Sequence, residues 1–294
     1  MAARHPDIDP LRRRLLLSSL GAAGVMLAGR VCGADLAGRD RPLEFGVVPY
    51  LPTARLLTIF EPLRAHFAAS FQRPIALSTA PDFKSFQRRA LDGEYDLYFI
   101  GPGPGWQVHR DRHHLVLVVA KAILRIYLVV AQGGTIRQLT DLRGKMVATI
   151  DPLTVTAQVT AALLQGNGLE PGRDVMLRTE KTPFNAVQAV ALGEVAAAAC
   201  PDVAWPDLPD ELRSRLQIIY RSEGLPGGML MMRPAADLPT PEAIRKAIFD
   251  FDASTAGRIF AKESGQLGFD LPDMQQLAVL ERFLPETRRV MSQP

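Results

Sequence analysis

The sequence predicts an α/β chain folded as two lobes joined by crossing strands. Three observations carry this expectation. The 294 residues exceed what one ordinary core needs. From Arg41 onward, apolar strand-like runs alternate with amphipathic helical segments, the pattern of parallel sheets covered by helices. Two glycine breakers, Gly133-Gly134 and Gly227-Gly228, each stand beside a Val- or Met-rich strand. They divide the alternation into a first set, a crossing, a second set and a return, with one lobe at about 42–131 plus 229–294 and the other at 132–228.

Each element has a local reason. Leu43 to Val48 is an apolar run stopped by Pro49, and Ile75 to Ser78 and Asp96 to Ile100 are further strands. Between them, Thr53 to Ser70 places Leu56, Leu57, Phe60, Leu63 and Phe67 on one helical face. The next helix runs from Asp82, a good N-cap, to Leu91, with Gly93 just past its end. Leu115 to Val130 reads as two strands, the second leaving the first lobe. The second set expects strands at Met146–Ile150, Val175–Leu177, Val195–Cys200 and Leu216–Tyr220, with helices at Thr154–Gln165 and Phe184–Leu192. Met229 to Met232 is the return strand, and the tail from Thr240 to Leu284 reads as helical.

The start of the chain reads as a leader. Arg12-Arg13-Arg14 precedes an uncharged stretch from Leu15 to Gly29, then Arg30 and the small residues before Asp35. That is the order of a secretory signal over 1–34, too short in its apolar part for the ~20 residues of a membrane span. The arginines and the weak apolar region favour the twin-arginine route over general secretion. Five arginines against two aspartates in this stretch account for the whole net charge of +3. The rest is formally neutral and gives no basic footprint for nucleic acid. Of the two cysteines, Cys32 lies in the leader, and Cys200 closes an alanine-rich run as a buried inert thiol.

Several segments together resemble a known family. Phe45-Gly46-Val47-Val48-Pro49-Tyr50-Leu51-Pro52 is similar to the opening of the phosphate/phosphonate-type solute-binding proteins of ABC transporters. Ala90-Leu91-Asp92-Gly93-Glu94-Tyr95-Asp96, Leu139 to Ala148 and Ala189 to Val195 resemble later steps of the same proteins. The resemblance spans 43 to 285 and implies a type II periplasmic-binding fold with the ligand held between the lobes. It also implies departures. Val155 and Ala157 stand where the family has a hydroxyl and a glycine, Thr182 to Asn185 contains no histidine, and Ala196 replaces an acidic residue.

Ligands of open α/β sheets bind beyond the carboxyl ends of the strands. That rule selects Pro49 to Thr53, Gly101 to Trp106 and Asp151 to Thr156. In the last, Thr154, Val155 and Thr156 put hydroxyls and free backbone N–H groups at a helix start, an anion site or simply a capped helix. Tyr50 and Trp106 are the aromatic candidates on the first lobe, as ligand contacts or as packing; Asn185 and Asp202 are second-lobe candidates. His109, His113 and His114 read as a solvated helix end. No P-loop, G-x-S-x-G, zinc or dinucleotide motif occurs, so no catalytic residue, metal or cofactor is expected. The expected function is capture of a small ligand in the periplasm by a monomer that delivers it to an ABC permease. The alternatives are a receptor for a membrane sensor kinase and, less favoured, an exported enzyme.

Overall fold

The computed structural model describes residues 41–293; the leader expected at 1–34 lies outside them. Strands β1 (Leu43–Val47), β2 (Ile75–Ser78), β3 (Leu97–Ile100), β4 (Leu115–Ala120), β10 (Met229–Met232) and β11 (Phe269–Asp270) form a six-stranded sheet in the order β11-β4-β10-β3-β1-β2. Strands β5 (Ile126–Ala131), β6 (Met146–Thr149), β7 (Met176–Thr179), β8 (Ala197–Pro201) and β9 (Leu216–Arg221) form a second sheet in the order β7-β6-β8-β5-β9. β1 runs parallel to β2 and β3, and β6 parallel to β7 and β8, as helical crossovers require. β10 is antiparallel to both β3 and β4, and β5 to both β8 and β9.

The chain passes between the sheets twice. Residues 121–125 lead out and 222–228 lead back, and the two segments pair through Leu124 and Leu225, whose backbones exchange hydrogen bonds of 3.0 and 2.9 Å. This differs from the boundary expected after residue 131. The strand at 126–131 belongs to the second sheet, because Ile126–Val130 pairs along β8 and Tyr127–Ala131 along β9. A Val-rich strand followed by glycines looks the same from either side of a crossing; only its partners assign it.

Helices α1 (Thr53–Phe71), α2 (Phe83–Leu91) and α3 (Pro102–Arg112) follow the first three strands. Asp82 caps α2 as expected, accepting from the Ser85 N–H at 2.7 Å. The core of this half is aromatic: Phe45, Phe60, Phe67 and Phe260 are fully or almost fully buried, with edge-to-face contacts among them. In the second half, α4 (Val155–Gly166) and α5 (Pro183–Ala191) cover opposite faces of the sheet. Alternate β5 residues separate the layers, Leu128 and Val130 joining Leu142 and Leu164, and Val129 joining Ala186 and Cys200. The run Ala197–Ala199 is fully buried, its small side chains fitting the strand between these helices.

α6 (Asp210–Ser214) precedes β9, and α7 (Pro241–Ala253), α8 (Thr255–Ser264), α9 (Met274–Leu277) and α10 (Leu284–Ser292) follow the return strand. The tail is not continuously helical. Gly265, with φ of 74°, ends α8, Leu267 and Gly268 follow at 60° and 93°, and Phe269–Asp270 then pairs with β4 as an edge strand. A two-residue strand carries no period that the sequence could reveal.

Among the described residues no helix is long and apolar enough to cross a membrane. Cys200 is fully buried, and its thiol pKa is pushed up to about 12 by burial first and then by the neighbouring Asp202. Peptide mapping after alkylation at pH 8 should therefore find Cys200 unlabelled in the native chain and labelled only after denaturation.

Candidate functional site

The carboxyl ends of β1, β3 and β6 lead into the three segments that sequence selected. After β1, the Val48 N–H donates to the Phe99 carbonyl at 3.0 Å, and Tyr50 folds back over the core. Its ring stands 6.5 Å from Phe60 and 6.2 Å from Phe99, and its hydroxyl donates to the Ser264 carbonyl at 3.4 Å. Burial raises the Tyr50 pKa, so the phenol stays neutral.

After β3 the expected loop is a helix. Gly101 is the N-cap of α3, and Pro102 supplies a preset φ at the first helical position. Trp106 therefore sits inside the helix rather than on a rim. It is 5% exposed, and its indole N–H donates to Glu281 at 2.8 Å. Residues Pro102 to Gln107 are all buried although they open a helix, because α2, α10 and β10 pack on α3 and the Gln158 side chain of α4 reaches Gly103.

After β6, Thr154 is the N-cap of α4. Its hydroxyl donates to the Asp151 carbonyl at 2.7 Å and accepts from the Ala157 N–H at 3.3 Å. Val155 is 5% and Thr156 2% exposed, and the Thr156 hydroxyl makes no hydrogen bond among the described residues. Asp151 accepts from the Leu153 N–H at 2.9 Å. Its pKa is raised, by burial first and then by the charge of Asp82, which heads α2 on the other half. Asp151 thus carries its charge reluctantly, and offsets less of the positive end of α4 than an exposed carboxylate would.

The structure accordingly brings Tyr50, Trp106 and Val155 into one apolar cluster, with Thr154 and Thr156 on the same helical turn as Val155. Asn185 and Asp202 are engaged in local hydrogen bonds. The Asn185 amide oxygen accepts from the Thr182 hydroxyl at 3.0 Å and its N–H donates back to that hydroxyl at 3.1 Å, closing the start of α5. Asp202 accepts from the Arg125 N–H at 3.0 Å and ties β8 to the outgoing crossing segment. The histidines also differ from expectation: His113 ends α3, but His114 is 5% exposed and its Nδ1 pairs with the Tyr98 hydroxyl at 2.8 Å. Burial, then the charges of Arg233 and Arg112, depress its pKa to about 4. Among the described residues no group of three His, Cys, Asp or Glu side chains could hold a metal ion.

Sequence reasoning selected the segments that hold Gly103 and Asp151 without naming either as a contact, and did not select Asp82, Thr149 or Gln158 for the site. Thr149 ends β6 and its hydroxyl is buried without a partner. The position of Thr149 at a strand end was readable; its burial was not. A separate cavity of about 220 Å³ lies between Val159 and Leu163 of α4, Tyr220 and Glu223, and Arg282 and Phe283; none of the predicted site residues lines it.

Comparison with known proteins bears on the fold and the family. Residues 45–277 match the family model described as "ABC transporter, phosphonate, periplasmic substrate-binding protein". XAC2383 from Xanthomonas citri, solved bound to chloride ion, superposes with a TM-score of 0.74 at 17% identity, covering 84% of this chain and 98% of that one. PhnD1 from Prochlorococcus marinus, solved in complex with methylphosphonate, gives 0.70 at 11% identity, covering 84% and 98%. A binding protein component of an ABC phosphonate transporter from Pseudomonas aeruginosa gives 0.68 at 19% identity, covering 86% and 90%. At these identities the solved structures establish the shared fold. No curated protein matches the sequence.

Proposed function

The chain belongs to the periplasmic phosphonate substrate-binding family of ABC transporters, and from that premise we propose that it captures a small phosphorus oxyanion or phosphonate between its two lobes and hands it to a membrane permease. The observation that carries the reading is the meeting of two helix starts. Gly103 in the first turn of α3, from the six-stranded half, meets the side chain of Gln158, one turn into α4 of the five-stranded half. The start of α4 presents the N–H groups of Val155 and Thr156, which precede the first helical bond; the start of α3 presents that of Gly103 alone, since Pro102 and Pro104 have none; and each is the positive end of a helix dipole. An anion between them touches both halves, which is what a ligand needs in order to favour a closed form over an open one.

In this reading the lobes move about the crossings at 121–125 and 222–228. Thr156 supplies a hydroxyl, Tyr50 closes the apolar side, and Asp151 accepts from a protonated ligand oxygen or ammonium. The departures from the family pattern at Val155, Ala157, the histidine-free stretch Thr182 to Asn185 and Ala196 reduce the number of polar contacts and favour a small ligand. The leader is removed near Ala34 and the exported chain works as a monomer that binds no nucleic acid and catalyses nothing. The test is a thermal-shift screen with phosphate, phosphite, methylphosphonate and uncharged organic solutes. A ligand at ~100 times its Kd should stabilise the fold by about 2.7 kcal/mol. A rise confined to the phosphorus oxyanions and phosphonates supports the proposal, and a rise with neutral or cationic solutes alone refutes it.

A further inference from the structure

The side chain of Gln158 crosses from one half of the molecule to the other. It stands on α4, is 2% exposed, and its Nε2 donates to the Thr287 hydroxyl on α10 at 2.8 Å. Thr287 is fully buried and its hydroxyl donates in turn to the Phe283 carbonyl at 2.9 Å. α10 is fixed to the six-stranded half, Arg288 pairing with Asp111 of α3 and Trp106 of α3 with Glu281 just before α10. The other end of the amide is different. Gln158 Oε1 is buried with no hydrogen-bond partner. It lies so close to α3 that a Cβ built on Gly103 would stand 2.4 Å from it. Pro102 and Pro104 flank Gly103 and have no N–H to offer.

The two ends of the amide do opposite things. The Nε2 bond is made in the closed arrangement, but water replaces it on opening, so its net contribution is modest. Oε1 is hydrated when the halves separate and loses that bond when they meet. An unmade buried bond costs more than a made one returns, and the weak contact with the Gly103 Cα–H offsets only part of it. We propose that Gln158 is a release element: its stranded carbonyl opposes closure, keeps the ligand-free protein able to open, and speeds ligand release. The proposal rests on the two-lobed capture described above, though not on the identity of the ligand.

The experiment compares the full chain with its Gln158→Met variant, which keeps the volume and length of the side chain and removes both polar ends. Fluorophores on the two halves report the distance between them, and calorimetry with methylphosphonate reports affinity. Gln158→Met is expected to shorten the ligand-free distance and to tighten methylphosphonate about fivefold, with slower dissociation. Gly103→Ala, which sets a methyl group against Oε1, is expected to do the reverse. A longer distance or weaker binding in Gln158→Met would make Gln158 a latch and overturn the proposal, as would no change in either. If the parent chain binds no methylphosphonate, the ligand reading fails, while the ligand-free distances still decide the role of Gln158.

Discussion

Replacing Thr154 and Thr156 together by valine is expected to weaken methylphosphonate binding at least about tenfold, since a hydrogen bond to a charged ligand contributes roughly 1.5–3 kcal/mol. The two residues should not contribute equally. The Thr154 hydroxyl already donates to the Asp151 carbonyl and accepts from the Ala157 N–H, so it has no proton left to offer an anion without breaking its cap. The Thr156 hydroxyl has no such commitment. Thr156→Val alone should therefore account for most of the lost affinity, while Thr154→Val should act mainly on stability, by about 1 kcal/mol for the lost cap. Calorimetry and urea unfolding on both single variants and the double variant separate the two effects. An unchanged affinity in the double variant would reduce both threonines to structural roles and leave the phosphonate reading without its hydroxyl donor.

Phe60→Ala is expected to have the largest effect on stability, roughly 3–5 kcal/mol. Phe60 is fully buried, and its ring centroid lies 5.1 Å from Phe260, 5.5 Å from Phe99, 6.2 Å from Phe45 and 6.5 Å from Tyr50. Truncation removes apolar contact from four rings at once and leaves a cavity that α1, pinned between β2 and α8, cannot close by a small shift. The urea midpoint should fall with the slope unchanged. Tyr50 loses the ring against which it packs, so ligand affinity should fall in the same variant even though Phe60 itself touches no ligand. A midpoint lowered by less than about 1 kcal/mol would mean that the neighbouring rings collapse into the space.

The sequence by itself determined what is decided over short distances. The apolar runs at Leu43–Val47, Leu97–Ile100 and Met229–Met232 are strands because every residue in them except Glu44 and Gly46 is a large apolar side chain. The start of α2 at Asp82 and of α4 at Thr154 follows from one side-chain oxygen accepting a backbone N–H three residues on. These signals also carried the family resemblance and the choice of strand-end segments. Only the tertiary structure decided which sheet claims residues 126–131, because a strand's membership lies in partners some 70–90 residues away. It likewise decided that Trp106 is a packed helical residue, that His114 is buried against Tyr98, and that Gln158 meets Thr287 and Gly103. Each of these depends on where a side chain points once elements remote in the chain pack together. No local period, cap or turn in the sequence encodes that direction, since it is fixed by the packing of residues remote in the chain.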